Sequence, residues 1–173
     1  GALAGFVVTL PLWLLFDGGT SNMQFVERSE WIPRFDIHYF LGVDGISMLF
    51  VLLNSLMTLF VVWSAWEVIQ TRVAQYMAAF LIQSGLINGA FVALDAILFY
   101  MFFEAMLIPM YLIIGVWGGQ RRIYAAYKFF LYTLLGSVLF LAALIYLYLK
   151  SGGSFDILTW HKLPLPLDAQ VLL

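Results

Sequence analysis

The sequence predicts an all-α membrane protein, a bundle of four complete transmembrane helices preceded by a partial one. Hydrophobic residues make up 64% of the 173-residue chain and charged residues 10%, against roughly 45–50% and about 25% in an ordinary soluble domain. Several apolar stretches reach the ~20 residues needed to cross the hydrocarbon core. Only short polar stretches separate them, so residues 1–173 read as one membrane domain with no soluble domain attached.

Residues 1–16 are apolar but too short to span. With no initiator Met, basic n-region or cleavage site, they read as the second half of a helix cut at the sequence boundary rather than a signal peptide. Segment 17–44 contains Pro33, several charges and alternating stretches around "WIPRFDIHYFLGVDG", which predict a short extramembrane hairpin. Residues 45–65 make a full span. The apolar run from Tyr76 to Trp117 is about twice the required length and must turn once inside. Asp95 in "ALDA" is the best place, giving spans of about 76–94 and 96–117. Residues 124–149 form the last complete span. The tail, 150–173, reads as an interfacial loop holding Trp160 and two prolines, and then the start of another helix.

Orientation follows from the basic residues of short loops. Arg72 lies in loop 66–75, Arg121 and Arg122 lie in loop 118–123, and Lys128 is just inside the next span. These two loops are expected on the cytoplasmic side. Arg28, Arg34, Lys150 and Lys162 lie on the other side, so density in the short loops decides the assignment.

Composition also excludes chemistry. A net charge of −2 gives no basis for a nucleic-acid partner. The absence of cysteine excludes disulfides, thiolate catalysis and cysteine-ligated iron–sulfur clusters within the chain. His38 and His161 both fall outside the apolar spans, which argues against a bis-histidine haem in the membrane. No G-x-G-x-x-G or P-loop pattern marks a nucleotide site. Neither a metal site nor a resident cofactor is expected.

The polar signal that needs explaining is Glu104, in "MFFEAMLIPMYLIIGVWGGQRR". On a helix over 96–117 it lies about 12 Å from one end and about 20 Å from the other, where a carboxylate costs at least ~2.5 kcal/mol. Tyr100, Leu107 and Tyr111 share its face at helical spacing, so two phenols are expected to flank it. Pro109 cannot donate to the Ala105 carbonyl and should kink the helix, freeing an acceptor beside the acid. Two readings stand here. Glu104 is a proton or ion site, its pKa tuned by burial and a movable cation, or it stays protonated and makes one interhelical hydrogen bond.

Other polar groups carry weaker signals. Gln83, Ser84 and Asn88, with Gly85 and Gly89, fit close helix packing by small residues, and Thr133, Gly136 and Ser137 read the same way. Asn54, near the middle of its span, fits packing and function equally. Lys128 is a further candidate for proton transfer, although a lysine one turn inside a span can also snorkel to the interface. Glu67 is a third candidate, although an acid at a helix end is usually solvated. Trp63, Trp66 and Trp117 read as interfacial or lipid-facing.

The stretch "FFEAMLIPMYLIIGVWGG", followed by "RRIYAAYKFFLYTLLGSV", closely resembles the antiporter-like subunit M family of proton-translocating NADH:quinone oxidoreductase, respiratory complex I. "WIPRF" and "GVDGISMLFVLL" resemble the segment that precedes this helix in the same family. The resemblance covers essentially the whole chain, from inside the family's second helix to just before its seventh. It implies a proton pump without redox chemistry of its own. The family glutamate matching Glu104 pairs with a lysine on a later, discontinuous helix, which would lie beyond Leu173. A second family acid, at the cytoplasmic end of the third helix, corresponds to Glu67. NADH, FMN, iron–sulfur clusters and quinone are then expected in other subunits. The expected partners are other membrane subunits and the lipid bilayer, with the bacterial inner membrane as location. A multisubunit cation/proton antiporter or a membrane-bound hydrogenase, which share the glutamate helix, is the alternative within transport. A purely structural membrane bundle is the alternative outside it.

Overall fold

The structure is a computed structural model that describes residues 1–172. Its first helix, α1 (Ala2–Leu15), contains Pro11. A two-stranded antiparallel hairpin follows, β1 (Gln24–Ile32) and β2 (Ile37–Val43), joined by a 3-10 turn over Pro33–Phe35. Asp36 closes that turn with φ 55°, a left-handed conformation that aspartate tolerates better than most residues. In β2, Ile37, Phe40, Leu41, Gly42 and Val43 lose much of their exposure while β1 stays mostly open. The hairpin therefore packs through one strand.

Helix α2 (Gly45–Val68) starts with a reciprocal cap in which Ser47 N–H donates to Asp44 Oδ1 at 2.6 Å and Asp44 N–H donates to Ser47 Oγ at 2.9 Å. The bond from Ser47 holds the Asp44 carboxyl below its ordinary pKa. Helix α3 (Val73–Val92) runs back to the tight turn at residues 93–95. The apolar segment Ala96–Trp117 is divided at Met106 into α4 (Ala96–Ala105) and α5 (Leu107–Trp117). Helix α6 (Arg122–Lys150) is the longest, at 29 residues. The short helices α7 (Ile157–Trp160) and α8 (Leu167–Leu172) complete the described chain.

The fold is mostly helical, with one two-stranded hairpin beside the helices. Among the described residues, three segments are long and apolar enough to cross a membrane: Gly45–Val68, Ala96–Trp117 and Arg122–Lys150. Helix α3 has the length, at 20 residues, but Gln75, Gln83, Ser84 and Asn88 dilute its apolar character. Trp160, in the tail, is held within the protein. It is half-buried, its indole N–H donates to the Ser154 carbonyl at 2.8 Å, and it packs against a small core of Ile37, Ala96, Leu144 and Phe155.

The bundle has two distinct ends. At one, Leu94 N–H donates to Phe40 O at 2.8 Å and Ala96 N–H donates to Phe155 O at 2.9 Å, so the hairpin, the 93–95 turn and the tail meet. At the other, Trp117 Nε1 donates to the Thr71 carbonyl at 2.9 Å, joining the α2–α3 loop to the end of α5. Between the ends, Gly89 lies against Phe102, where an added Cβ would fall 2.6 Å from the ring. Gly85, expected to pack in the same way, has nothing within 4 Å of such a position.

This arrangement predicts the outcome of a cysteine-accessibility scan of the naturally cysteine-free chain. Single cysteines at Thr71 and Gln120 should be labelled from the same side of sealed vesicles, and one at Ser29 only from the other. Gly89→Val should lower thermal stability by about 1–3 kcal/mol through overpacking against Phe102, whereas Gly85→Val should change it by much less; melting of the two variants side by side in detergent measures the difference.

Candidate functional site

Glu104 sits in the last turn of α4, two residues before Met106. Its Oε1 is buried with no hydrogen-bond partner, a condition that among the described residues it shares only with Gln83 Oε1 on α3. A buried acceptor left unpaired costs about 1–3 kcal/mol, so this oxygen has room for a donor that the described residues do not supply. Tyr100, one turn earlier on the same face, neighbours both Glu104 and Ser137 of α6. Around them Phe99, Tyr100 and Phe103 pack on Phe140 with ring centroids 6.0–6.4 Å apart. An aromatic wall therefore lies beside the acid and keeps the local dielectric low.

The second expected phenol, Tyr111, packs edge-on against Tyr127 and Phe130 of α6, at 5.8 and 5.7 Å. Met106 keeps right-handed helical dihedrals and its N–H donates to Phe102 O, so Ala96–Trp117 runs on as one span, and Tyr100 and Tyr111 both pack toward α6. Lys128 is exposed on α6, its Nζ 5.9 Å from the ring centroids of both Tyr124 and Tyr132. Glu67 is exposed at the end of α2, where its backbone carbonyl accepts from Gln70 Nε2 at 2.8 Å. No ion pair joins Glu104, Lys128 and Glu67 among the described residues. Of the three, only Glu104 has a carboxylate oxygen buried without a partner.

A second polar cluster links α2 and α3. Asn54 Nδ2 donates to Asn88 Oδ1 at 2.8 Å and to Ser84 O at 3.0 Å, and Thr58 Oγ1 lies 2.8 Å from Ser84 Oγ. Sequence reasoning left Asn54 open and read Ser84 and Asn88 as packing by small residues. The structure makes them partners in a side-chain network bordering a cavity of about 150 Å³ beside α1. By contrast, Thr133 and Ser137 turn inward on their own helix, bonding Phe129 O at 2.8 Å and Leu134 O at 2.9 Å.

The residue that sequence reasoning undervalued is Asp95. It is 1% exposed, and its carboxylate accepts three backbone N–H groups: His38 at 2.9 Å, Ile97 at 2.9 Å and Leu98 at 3.1 Å. Burial pushes its pKa up, and the three donors oppose that rise. Asp95 thereby caps the helix that carries Glu104 and fixes it to the hairpin. The available signal was an aspartate immediately before an apolar helical run, the pattern of an N-cap.

The model of a family described as "NADH:quinone oxidoreductase/Mrp antiporter, TM" matches residues 93–164, which include Asp95, Glu104 and Lys128 but not Glu67. The chain is 54% identical over 161 residues to NADH-quinone oxidoreductase subunit M of Rhodobacter capsulatus, covering 93% of this chain and 31% of that protein. The chain belongs to the subunit M family. It is also 46% identical to subunit M of Rickettsia prowazekii, over 97% of this chain and 34% of that protein. The respiratory complex I of Thermus thermophilus with bound NADH contains a chain that superposes with a TM-score of 0.84 at 30% identity, covering 99% of this chain and 35% of that one. The chain thus spans about a third of the length of the subunit M relatives it matches, and it is an integral membrane protein.

Removal of the Asp95 carboxylate should destabilise this segment of the subunit. Asp95→Ala loses an N-cap, typically ~1 kcal/mol, and leaves the His38 donor unpaired, about 1–3 kcal/mol more, so a loss of about 2–4 kcal/mol is expected. Asp95→Asn should cost less, because one oxygen can still cap α4 while the amide meets the His38 N–H donor to donor. Denaturant unfolding in detergent, followed by circular dichroism, should rank the two in that order.

Proposed function

We propose that the chain forms part of a proton-translocating membrane subunit of NADH:quinone oxidoreductase. In this reading Glu104 gains and loses a proton while quinone chemistry proceeds in other subunits. The observation that carries it is a carboxyl oxygen buried without a partner within a 22-residue apolar span, in a family whose description joins the oxidoreductase to an antiporter. An acid with an unpaired buried oxygen has room to accept a proton, and a cation that approaches or withdraws would drive its release or uptake. The family resemblance assigns that cation to a lysine beyond residue 173. Tyr100 supplies a neighbouring hydroxyl for transfer toward Ser137.

Helix α3 is proposed as the fourth span. It connects two helices that are themselves spans, and 20 residues reach about 30 Å. Its polar groups Ser84 and Asn88 are paired with Asn54 rather than left to lipid, which makes them tolerable at membrane depth. The bacterial relatives favour the bacterial inner membrane, and the other membrane subunits of the complex are the proposed partners. NADH, FMN, iron–sulfur clusters and quinone belong to other subunits in this reading. The donor set here does not suit a redox centre, since the chain has no cysteine and no three His, Asp or Glu side chains converge among the described residues. Lys128 and Glu67 are secondary candidates, each distant from Glu104 along the helices. Recovery of cation-antiporter or hydrogenase subunits with the chain, in place of NADH dehydrogenase subunits, would favour the other transport reading.

Substitutions at Glu104 in the assembled complex separate a proton carrier from packing glue. Glu104→Asp should retain part of the pumping, since the acid is kept and only its reach shortens. Glu104→Gln and Glu104→Ala should each lose at least about tenfold in pumping and quinone-linked turnover, within the range lost with a proton-transfer group. The readout is proton uptake and NADH oxidation in membrane vesicles, normalised to assembled complex. A Gln variant that assembles and pumps like wild type removes Glu104 from the proton path.

A further inference from the structure

We infer that the cleft between the end of α5 and the start of α6 binds the phosphate headgroup of an anionic phospholipid. The cleft is open, with a volume of about 560 Å³, and Arg121, Arg122 and Lys128 line it together with Ile114, Ala125 and Phe129. Arg121, Ala125 and Lys128 follow one another at helical spacing of three to four residues, so α6 presents them on one stripe. None of the three cations is ion-paired among the described residues.

The arrangement has two zones. Both arginines lie at the membrane surface end of the bundle, beside the loop tied by Trp117 to Thr71. Lys128 starts about 9 Å deeper along α6 and can extend back toward them, as long basic side chains do near an interface. Ile114, Ala125 and Phe129 supply apolar surface on the membrane side of the arginines. Topology signalling accounts for Arg121 and Arg122, of which Arg122 Nη1 also donates to the Val116 carbonyl at 2.7 Å, but not for a third cation lining the same cleft, Lys128, whose Nζ rests 5.9 Å from the Tyr124 and Tyr132 rings. A free phosphate ion would use the cations alone, and the volume is in the range of sites that enclose far larger molecules. A phospholipid uses both zones, with its phosphate on the cations and the first acyl methylenes on the apolar wall. Basic pockets between transmembrane helices commonly take anionic headgroups in this way.

The test uses the complete membrane assembly, purified in mild detergent and reconstituted in nanodiscs of phosphatidylcholine with or without phosphatidylglycerol. Bound lipid is counted by native mass spectrometry. Two variants leave the topology-setting arginines in place: Lys128→Gln removes one charge, and Ala125→Trp fills the cleft without changing charge. Lys128→Gln should weaken retention of phosphatidylglycerol about fivefold, the equivalent of one basic residue, and Ala125→Trp should abolish one bound anionic lipid, with phosphatidylcholine unaffected in both. Inorganic phosphate at tens of millimolar should not displace the lipid. Unchanged phosphatidylglycerol retention in both variants overturns the inference, as does equal retention of the two lipids. Displacement by inorganic phosphate assigns the site to a free anion instead. The readout does not depend on proton pumping, so it stands or falls separately from the role of Glu104.

Discussion

Irregular backbone at the edge of a bilayer must find its hydrogen bonds within the protein, and here one carboxylate organises most of that task. Asp95 takes the N–H groups of His38, Ile97 and Leu98, while its neighbours exchange backbone bonds with the hairpin and the tail: Leu94 with Phe40 and Ile157, and Ala96 with Phe155. Three segments far apart in sequence are thereby held at one end of the bundle. The helix that carries Glu104 begins at this junction, so the depth and rotation of the acid are set by Asp95, nine residues earlier.

The two ends of the bundle are also chemically opposite. Helices that start at the hairpin end are capped by aspartate side chains, at Asp44, Asp95 and Asp156. Those that start at the other end, α3 and α6, have Arg72 and Arg121 at the N-cap and no side-chain cap. A cation at a helix N-terminus opposes the macrodipole by about 0.3–1 kcal/mol. Helix stability therefore does not explain these arginines. Orientation in the membrane does, through the preference of basic loops for the cytoplasmic side, and this makes the loop end the proposed cytoplasmic face.

The helical membrane fold was legible because its signals are additive: long apolar runs, a short polar interruption at Asp95, and alternation with Pro33 before the hairpin. Glu104 was legible for a simpler reason, since a carboxylate inside such a run has few explanations. The misses have a common physical origin. Sequence spacing gives the face of a residue but not its neighbours, so Tyr111 was read beside Glu104 without its partners Tyr127 and Phe130. Hydropathy alone also cannot say which polar side chains find one another, so Asn54, Ser84 and Asn88 were read as tolerated small groups rather than a bonded cluster. Asp95 was noticed as a turn but not as a hub, because its partner His38 is 57 residues away and no local pattern records that contact.

The two halves of the glutamate helix, on either side of Met106, have different moorings. The first half is clamped through Asp95 and carries the carboxyl. The second packs on α6 and is moored at its far end through the indole of Trp117. Both halves also lean on α6, the first through Phe140 and the second through Tyr127 and Phe130, so that one long helix backs the whole span that holds the acid.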